Sequence, residues 1–240
     1  MHINQFFDYI YCINLNRRTD RWQAVQKELS KHGIKATRFE ALDGYELSFK
    51  HIPTVSMEKK KFYFPGDDQI NTREAGLIFS HKMILLDAIA HGYNNILILE
   101  DDIVFKDNFA QMFDTAVKEL PSDWDMFYLG GMNWFGNDKP YSDNLRIANK
   151  TLGTYAVGIN HTVFEKLLDL SNLKEHIDIT YAKLLRDMNS YIANPHLVGQ
   201  TIGYSDIKSE ENIEDPFSFE NRIASEEINI WGKYPVLEQN

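Results

Sequence analysis

Residues 95–102, Asn95-Ile96-Leu97-Ile98-Leu99-Glu100-Asp101-Asp102, decide how the chain is read. Four consecutive apolar residues have the composition of a strand buried on both faces at the centre of a parallel sheet. Three carboxylates follow at once. In open α/β sheets ligands bind outside the carboxyl ends of the strands, where Glu100, Asp101 and Asp102 would stand. Neighbouring carboxylates repel one another, and a cation among them relieves that repulsion. Hard divalent ions such as Mg²⁺ or Mn²⁺ take oxygen ligands and bridge carboxylates to substrate phosphates. The triplet alone leaves a solvated acidic turn open as the alternative.

Outward from this run, strands and helices alternate. Thr72 to His91 reads as a helix with Ala75, Ile78, Phe79, Met83, Leu86 and Ile89 inward, stopped by Gly92. Earlier, Tyr9 to Leu15 has the β-branched and aromatic composition of a buried strand. Thr19 is the expected N-cap of a helix carrying Trp22, Val25 and Leu29 at helical spacing, which Gly33 ends. Ala36 to Leu42 returns as a strand and closes in the Asp43-Gly44 turn. On the other side the spacing predicts a helix over Asn108 to Leu120, a strand over Met126 to Leu129 and another over Thr154 to Ile159. Helices over Thr162 to Leu170 and Ile179 to Asp187 and a short strand over Tyr191 to Ala193 complete the series. This alternation predicts an α/β chain with a Rossmann-like, mostly parallel central sheet flanked by helices. Residues 45–70 show no period, and Glu46 to Asn71 reads as a flap over the donor or acceptor, with an ordinary exposed loop as the alternative. One domain is expected over residues 1–207, with 208–240 as an acidic tail packed on it or extending from it.

The 240 residues carry 25 Lys and Arg against 35 Asp and Glu, a net charge of −10, which argues against a broad basic face for nucleic acid and against a polybasic membrane anchor. No apolar run approaches the roughly 20 residues that span a bilayer, and Met1 to Ile10 lacks the basic start of a signal peptide. A soluble, cytoplasmic chain is the expectation. The single cysteine, Cys12, lies in an apolar run and reads as a buried, inert thiol. The chain has no glycine-rich phosphate loop and no nucleophile elbow, so a nucleotide would be held by a metal and polar side chains. A phosphohydrolase using the same strand end is disfavoured, since its Asp-x-Asp nucleophile pattern is missing from Glu100-Asp101-Asp102. Asp123-x-Asp125 is a second candidate metal pair.

Ile13-Asn14-Leu15-Asn16-Arg17-Arg18-Thr19-Asp20-Arg21 resembles the opening signature of glycosyltransferase family 25. The similarity continues in order through Ala41-Leu42-Asp43-Gly44, Arg73-Glu74-Ala75-Gly76 with Ser80-His81, Leu99-Glu100-Asp101-Asp102 and Trp124-Asp125-Met126-Phe127-Tyr128-Leu129-Gly130. Gly153-Thr154-Tyr155-Ala156, Ile177-Asp178, Asn194-Pro195, Gln200 and Ser205-Asp206 follow. Single pieces are weak, but their shared order over residues 9–207 is specific. The chain departs from the family at Ala156-Val157-Gly158, where many members carry an aromatic.

The resemblance implies a GT-A type fold and inverting transfer of a hexose from a nucleotide sugar, usually a uridine diphosphate sugar. Mn²⁺ or Mg²⁺ would be the cofactor. The acceptor would be a glycan or glycoprotein, as in lipopolysaccharide or hydroxylysine on collagen-like chains. Nucleic acid and a membrane span are not expected, and nothing in the sequence sets the oligomeric state. Asp102 and Asp101 are the expected metal ligands. Asn14, Arg17, Arg18, Arg21, Asp43, Glu74, Gly76, Ser80, His81, Glu100 and Asp101 are the expected donor-binding group. The arginine fork suits a diphosphate, although Arg17 and Arg21 could be exposed helix partners of Asp20. A helix N-terminus near Glu74 and Gly76 attracts anions. Asp178, with Asp101, is the expected catalytic carboxylate, a base for the acceptor hydroxyl; a plain N-cap role for Asp178 stays open. Glu74 and Asp125 are the other candidates for the base. A non-catalytic member that binds a nucleotide sugar or glycan is the alternative.

Overall fold

Nine strands position the candidate site: β1 (Tyr9–Leu15), β2 (Thr37–Ala41), β3 (Asn95–Glu100), β4 (Ile103–Phe105), β5 (Met126–Tyr128), β6 (Leu145–Ile147), β7 (Ala156–Asn160), β8 (Ser190–Ala193) and β9 (Val198–Gln200). This is a computed structural model, and it describes residues 1–44, 54–55, 70–133, 139–169, 176–201, 203–205 and 210–212. β4 and β9 pair with each other, and the remaining seven form one sheet in the order β2-β1-β3-β7-β5-β8-β6. β1 is parallel to β2 and β3, and β8 is parallel to β5. β7 runs against both β3 and β5, and β6 runs against β8. Five of the seven strands therefore share one direction, and the expected α/β architecture with a mostly parallel sheet is present.

β3 shows why an unbroken apolar run suits this place. Side chains alternate across a strand, so Leu97 and Leu99 enter one core with Cys12, Phe113, Trp124 and Phe127. Ile96 and Ile98 enter the other core with Tyr11, Ile13, Tyr128, Tyr181 and Ile192. Such composition reports burial on two faces and says nothing about strand direction. Reversed β7 beside β3 is accordingly a feature the run did not announce.

The helices are α1 (Ile3–Phe6), α2 (Thr19–Lys31), α3 (Thr72–His91), α4 (Phe109–Glu119), α5 (Phe164–Leu168) and α6 (Ile177–Leu184). α2 takes Arg18 as its N-cap, with no capping side-chain hydrogen bond, so Thr19 is the first helical residue and not the cap. Gly33 and Gly92, at φ +64° and +69°, adopt the left-handed conformation that ends α2 and α3. The expected helix over Thr162 to Leu170 is a 3₁₀ turn, His161–Val163, leading into the shorter α5.

α3 has the expected bounds but a different inner face. Ala75, Ile78, Ile84, Leu85 and Ala88 are buried, together with His81 and Lys82, whereas Met83, Leu86 and Ile89 are 46%, 55% and 44% exposed. Apolar residues cover more than one face of this helix, so periodicity alone could not choose between them. Lys82 fits inside because its ammonium donates to the carbonyls of Leu167 and Asp169, orphaned at the end of α5. Burial lowers the Lys82 pKa to about 8.

The turn after β2 locks onto α3 through two glycines. A Cβ on Gly44 would lie 2.1 Å from the Thr72 carbonyl oxygen, and one on Gly76 would lie 2.3 Å from that of Leu42. Cys12 is wholly buried, as expected. The expected flap, apart from the strands Thr54–Val55 and Ile70–Asn71, lies outside the described residues. So does the acidic tail apart from Glu210–Asn212. Among the described residues no helix is long and apolar enough to cross a membrane.

Candidate functional site

β1 and β3 lie parallel with Ile13 opposite Glu100, so both strands end at one edge and Asn14 comes beside the acidic triplet. Asn14 is buried, and its amide faces two ways. Nδ2 donates to Asp101 Oδ2 at 2.6 Å and to the Arg18 carbonyl at 3.1 Å. Oδ1 accepts from Arg38 Nε at 2.9 Å and Nη2 at 2.6 Å. The first turn of α2 supplies Arg21, whose Nη1 donates to Asp101 Oδ1 at 2.7 Å and whose Nη2 stands 3.6 Å from Asp102 Oδ2.

Two further segments close the edge. Gln200, ending β9, donates from Nε2 to Asp102 Oδ1 at 3.3 Å, and the Thr201 N–H donates to the Asp102 carbonyl at 2.6 Å. Because β7 runs backwards, the loop entering it reaches the edge where β3 leaves. Thr154 there donates to Glu100 Oε1 at 3.1 Å. Asp101 thus has both oxygens held at 2.7 Å or less, while the contacts of the Asp102 carboxylate to Arg21 and Gln200 are longer, at 3.6 and 3.3 Å.

Electrostatics follow from the crowding. Burial, and then the charge of Asp102, push the Glu100 carboxyl up to about 8, against the opposing Thr154 hydrogen bond. Burial raises Asp102 as well, with Arg21 opposing. The Cys12 thiol beneath is raised by burial and by all three carboxylates. Hard oxygens that resist ionisation side by side are a donor set suited to a divalent cation. Among the described residues, no group of three His, Cys, Asp or Glu could hold a metal ion. Phosphates would therefore have to supply much of the coordination, as is usual for Mg²⁺-type sites.

The other expected donor-binding residues divide between rim and core. Arg17 Nε donates to Asp43 Oδ2 at 2.7 Å, joining the ends of β1 and β2 at the rim. Arg18 forks onto Asp20 at 3.0 and 2.8 Å. Glu74 is buried with its Oε1 3.1 Å from His176 Nε2, which ties the start of α3 to the start of α6. Ser80 Oγ donates to the Gly76 carbonyl at 2.7 Å and accepts from the Leu42 N–H at 2.9 Å. Ser80 and Gly76 therefore fasten the Asp43-Gly44 turn to α3. His81 is fully buried with Nδ1 3.4 Å from the Tyr181 hydroxyl, and burial lowers its pKa to about 3, leaving it a neutral core group.

Asp178 sits in the first turn of α6, whose N-cap is His176, and its Oδ1 accepts from the Ile179 N–H at 2.8 Å. Its charge adds to burial and to Tyr181 in raising the hydroxyl of Tyr128, at the end of β5. Asp123 and Asp125 precede β5, at the sheet edge opposite the triplet. Asp125 accepts from Thr162 Oγ1 at 2.7 Å and from the Asn189 N–H at 2.8 Å, and Asp123 Oδ2 accepts from Asn189 Nδ2 at 3.1 Å. The second candidate metal pair is thus a structural knot far from the acidic triplet.

In sequence Trp22 reads as part of a helix face and Thr154 as part of a family-like motif, and neither they nor Arg38 stand among the expected site residues. The available signal was Arg38 itself, a charged residue in the middle of a strand packed beside the buried β1. The Arg38 guanidinium lies over Trp22, 5.3 Å from the ring centroid.

A family profile described as "Glycosyltransferase family 25 (LPS biosynthesis protein)" matches residues 7–180. Human "Inactive glycosyltransferase 25 family member 3" is 29% identical over 129 residues, covering 52% of this chain and 22% of that protein. Zebrafish (Danio rerio) "Procollagen galactosyltransferase 1" is 29% identical over 129 residues, covering 52% of this chain and 21% of that protein. The chain spans less than a third of the length of these curated relatives. Among solved structures, a glycosyltransferase involved in glycosylation of the major capsid of PBCV-1 shares 12% identity at a TM-score of 0.35, covering 66% of this chain and 62% of that one.

Proposed function

Because the chain belongs to glycosyltransferase family 25, we propose that it transfers a hexose from a uridine diphosphate sugar to a glycan or glycoprotein hydroxyl, with inversion and with Mn²⁺ or Mg²⁺. One observation carries this reading: the crowded carboxylates at the end of β3, with Asp101 fully engaged and Asp102 less so. Asp101 fixes the geometry. Asp102, with Glu100 behind it, holds the cation. A divalent cation bound there supplies positive charge to the diphosphate that leaves as the glycosidic bond breaks. Arg21 and the rim arginine Arg17, paired with Asp101 and Asp43, are the guanidinium groups this reading assigns to the same anion.

The remaining requirement is a base. In an inverting transfer the acceptor oxygen attacks the anomeric carbon from the side opposite the leaving diphosphate, and its proton passes to a carboxylate. Asp178 takes that role, on a helix tied to α3 through His176 and Glu74.

The test is a panel of uridine diphosphate sugars with Mn²⁺, reading released nucleotide. Turnover with one sugar, lost in chelator and in Asp102→Asn, is the expected result. Undiminished turnover of Asp102→Asn removes the metal assignment. The name of the human relative favours a second reading, a member that binds donor without turning it over. Donor-dependent thermal stabilisation without nucleotide release across the whole panel would establish it.

A further inference from the structure

The amide of Asn14 can be oriented by chemistry alone. A guanidinium only donates and a carboxylate only accepts, so the Asn14 oxygen must meet Arg38 and its NH₂ must meet Asp101, as the distances of 2.6–2.9 Å record. Asn14 is also nearly inaccessible to water, at 1% exposure. Turned over, the amide would set its oxygen against Asp101 and its NH₂ against Arg38, with two repulsive contacts and no water to relieve them.

We propose that Arg38 is a positioning residue for the proposed transfer, acting through Asn14 on Asp101. Two N–H groups of one guanidinium converge on one oxygen, a geometry the planar fork provides and a lysine does not. Trp22 seats that guanidinium from its other face. Trp22 follows Arg21 in α2, so a single helical turn governs both oxygens of Asp101. Arg21 grips Oδ1 directly, and Trp22 seats the arginine that, through Asn14, fixes the donor to Oδ2. The relay transmits orientation without setting a second full positive charge against Asp101. Asp101 is therefore held in fixed register with Asp102, the proposed ligand of the cation.

The inference rests on the transferase reading for its consequence, but its geometry can be measured separately. The full chain is labelled with ¹⁵N-asparagine, and the Asn14 side-chain NH₂ is assigned by its absence from Asn14→Ser. Wild type and Arg38→Lys are expected to show a protected NH₂ pair. Arg38→Met is expected to shift it and speed its exchange with solvent, with backbone amides of β1 and β2 in place. On the active enzyme, Arg38→Met should lower kcat about 10- to 100-fold, the range for partners that orient a ligand residue, with donor KM little changed. Arg38→Lys should recover part of this. In an Asn14→Ser background, Arg38→Met should add no further loss. An unmoved NH₂ pair, losses that multiply in the double variant, or a loss that tracks only the fall in melting temperature would each overturn the relay. If no version turns over any nucleotide sugar, the transferase reading has failed and the amide spectrum alone decides the Arg38 relay.

Discussion

The two edges of the central sheet each carry a cluster of acids, and the clusters are bonded in opposite ways. At the far edge, Asp125 is satisfied by a backbone N–H and a threonine hydroxyl, and Asp123 by an asparagine amide. All those partners are neutral, and they knit β5 to the loop before β8 and to the turn after β7. At the near edge the partners of Asp101 and Asp102 include a guanidinium, and the carboxyls are buried together so that Glu100 and Asp102 resist ionisation. Neutral partners finish an acid's bonding. Carboxyls crowded together under burial resist ionisation even with a guanidinium beside them, and a bound cation can relieve that crowding.

The contrast can be broken most directly by exchanging the edges in an activity assay. Asp102→Asn should lower turnover at least about 10²-fold, the loss typical of removing one electrostatic stabiliser. Asp125→Asn should leave turnover per folded molecule intact. Equal losses at both edges would erase the distinction.

A second effect concerns protons. Glu100 holds its proton up to about pH 8 because of burial and then the charge of Asp102, so a cation bound there must displace it. Mn²⁺ affinity, read by calorimetry, should climb as pH rises toward 8 and level off above. A flat profile would detach Glu100 from the site.

The same shift predicts a stability change in chelator. The folded chain holds this proton more tightly than the unfolded chain. The stabilisation is therefore complete below the ordinary value of 4.5 and is lost as pH rises through about 8. Comparing wild type with Glu100→Gln isolates it: the melting temperature of wild type relative to the variant should fall between pH 5 and 8. A constant difference would contradict the assignment. The smallest effect belongs to the far edge. Thr162→Val deletes one exposed hydrogen bond from a hydroxyl to the Asp125 carboxylate and should cost about 1 kcal/mol in denaturant unfolding, with Mn²⁺ affinity unchanged.

Much of the near edge was legible in sequence because its parts are local. An apolar run followed at once by three acids locates a strand end, and Asn14, Arg17 and Arg21 follow the neighbouring strand by the same logic. What could not be read depended on register and packing. The Asp123-x-Asp125 pair has the composition of a site, but it precedes its strand instead of following it, which puts it at the wrong edge. His81 and Ser80 read in sequence as donor-binding residues, yet the side of α3 they occupy faces the core. Arg38 joins the site only because β2 lies next to β1, a pairing between segments separated by a helix.

Reversal of β7 also divides the sheet by the order in which the chain could assemble it. β2, β1 and β3 pair using residues 9–100 alone, whereas every strand beyond β3 is attached through β7, at residues 156–160. The half holding Asn14, Arg21, Arg38, Asp101 and Asp102 is complete within the first 102 residues. Thr154 and Gln200 reach it from chain beyond residue 150, through contacts 54 and 98 residues apart. The grip on Asp101 is thus made entirely within the first 102 residues, whereas the bonds of Glu100 to Thr154 and of Asp102 to Gln200 wait for chain that follows.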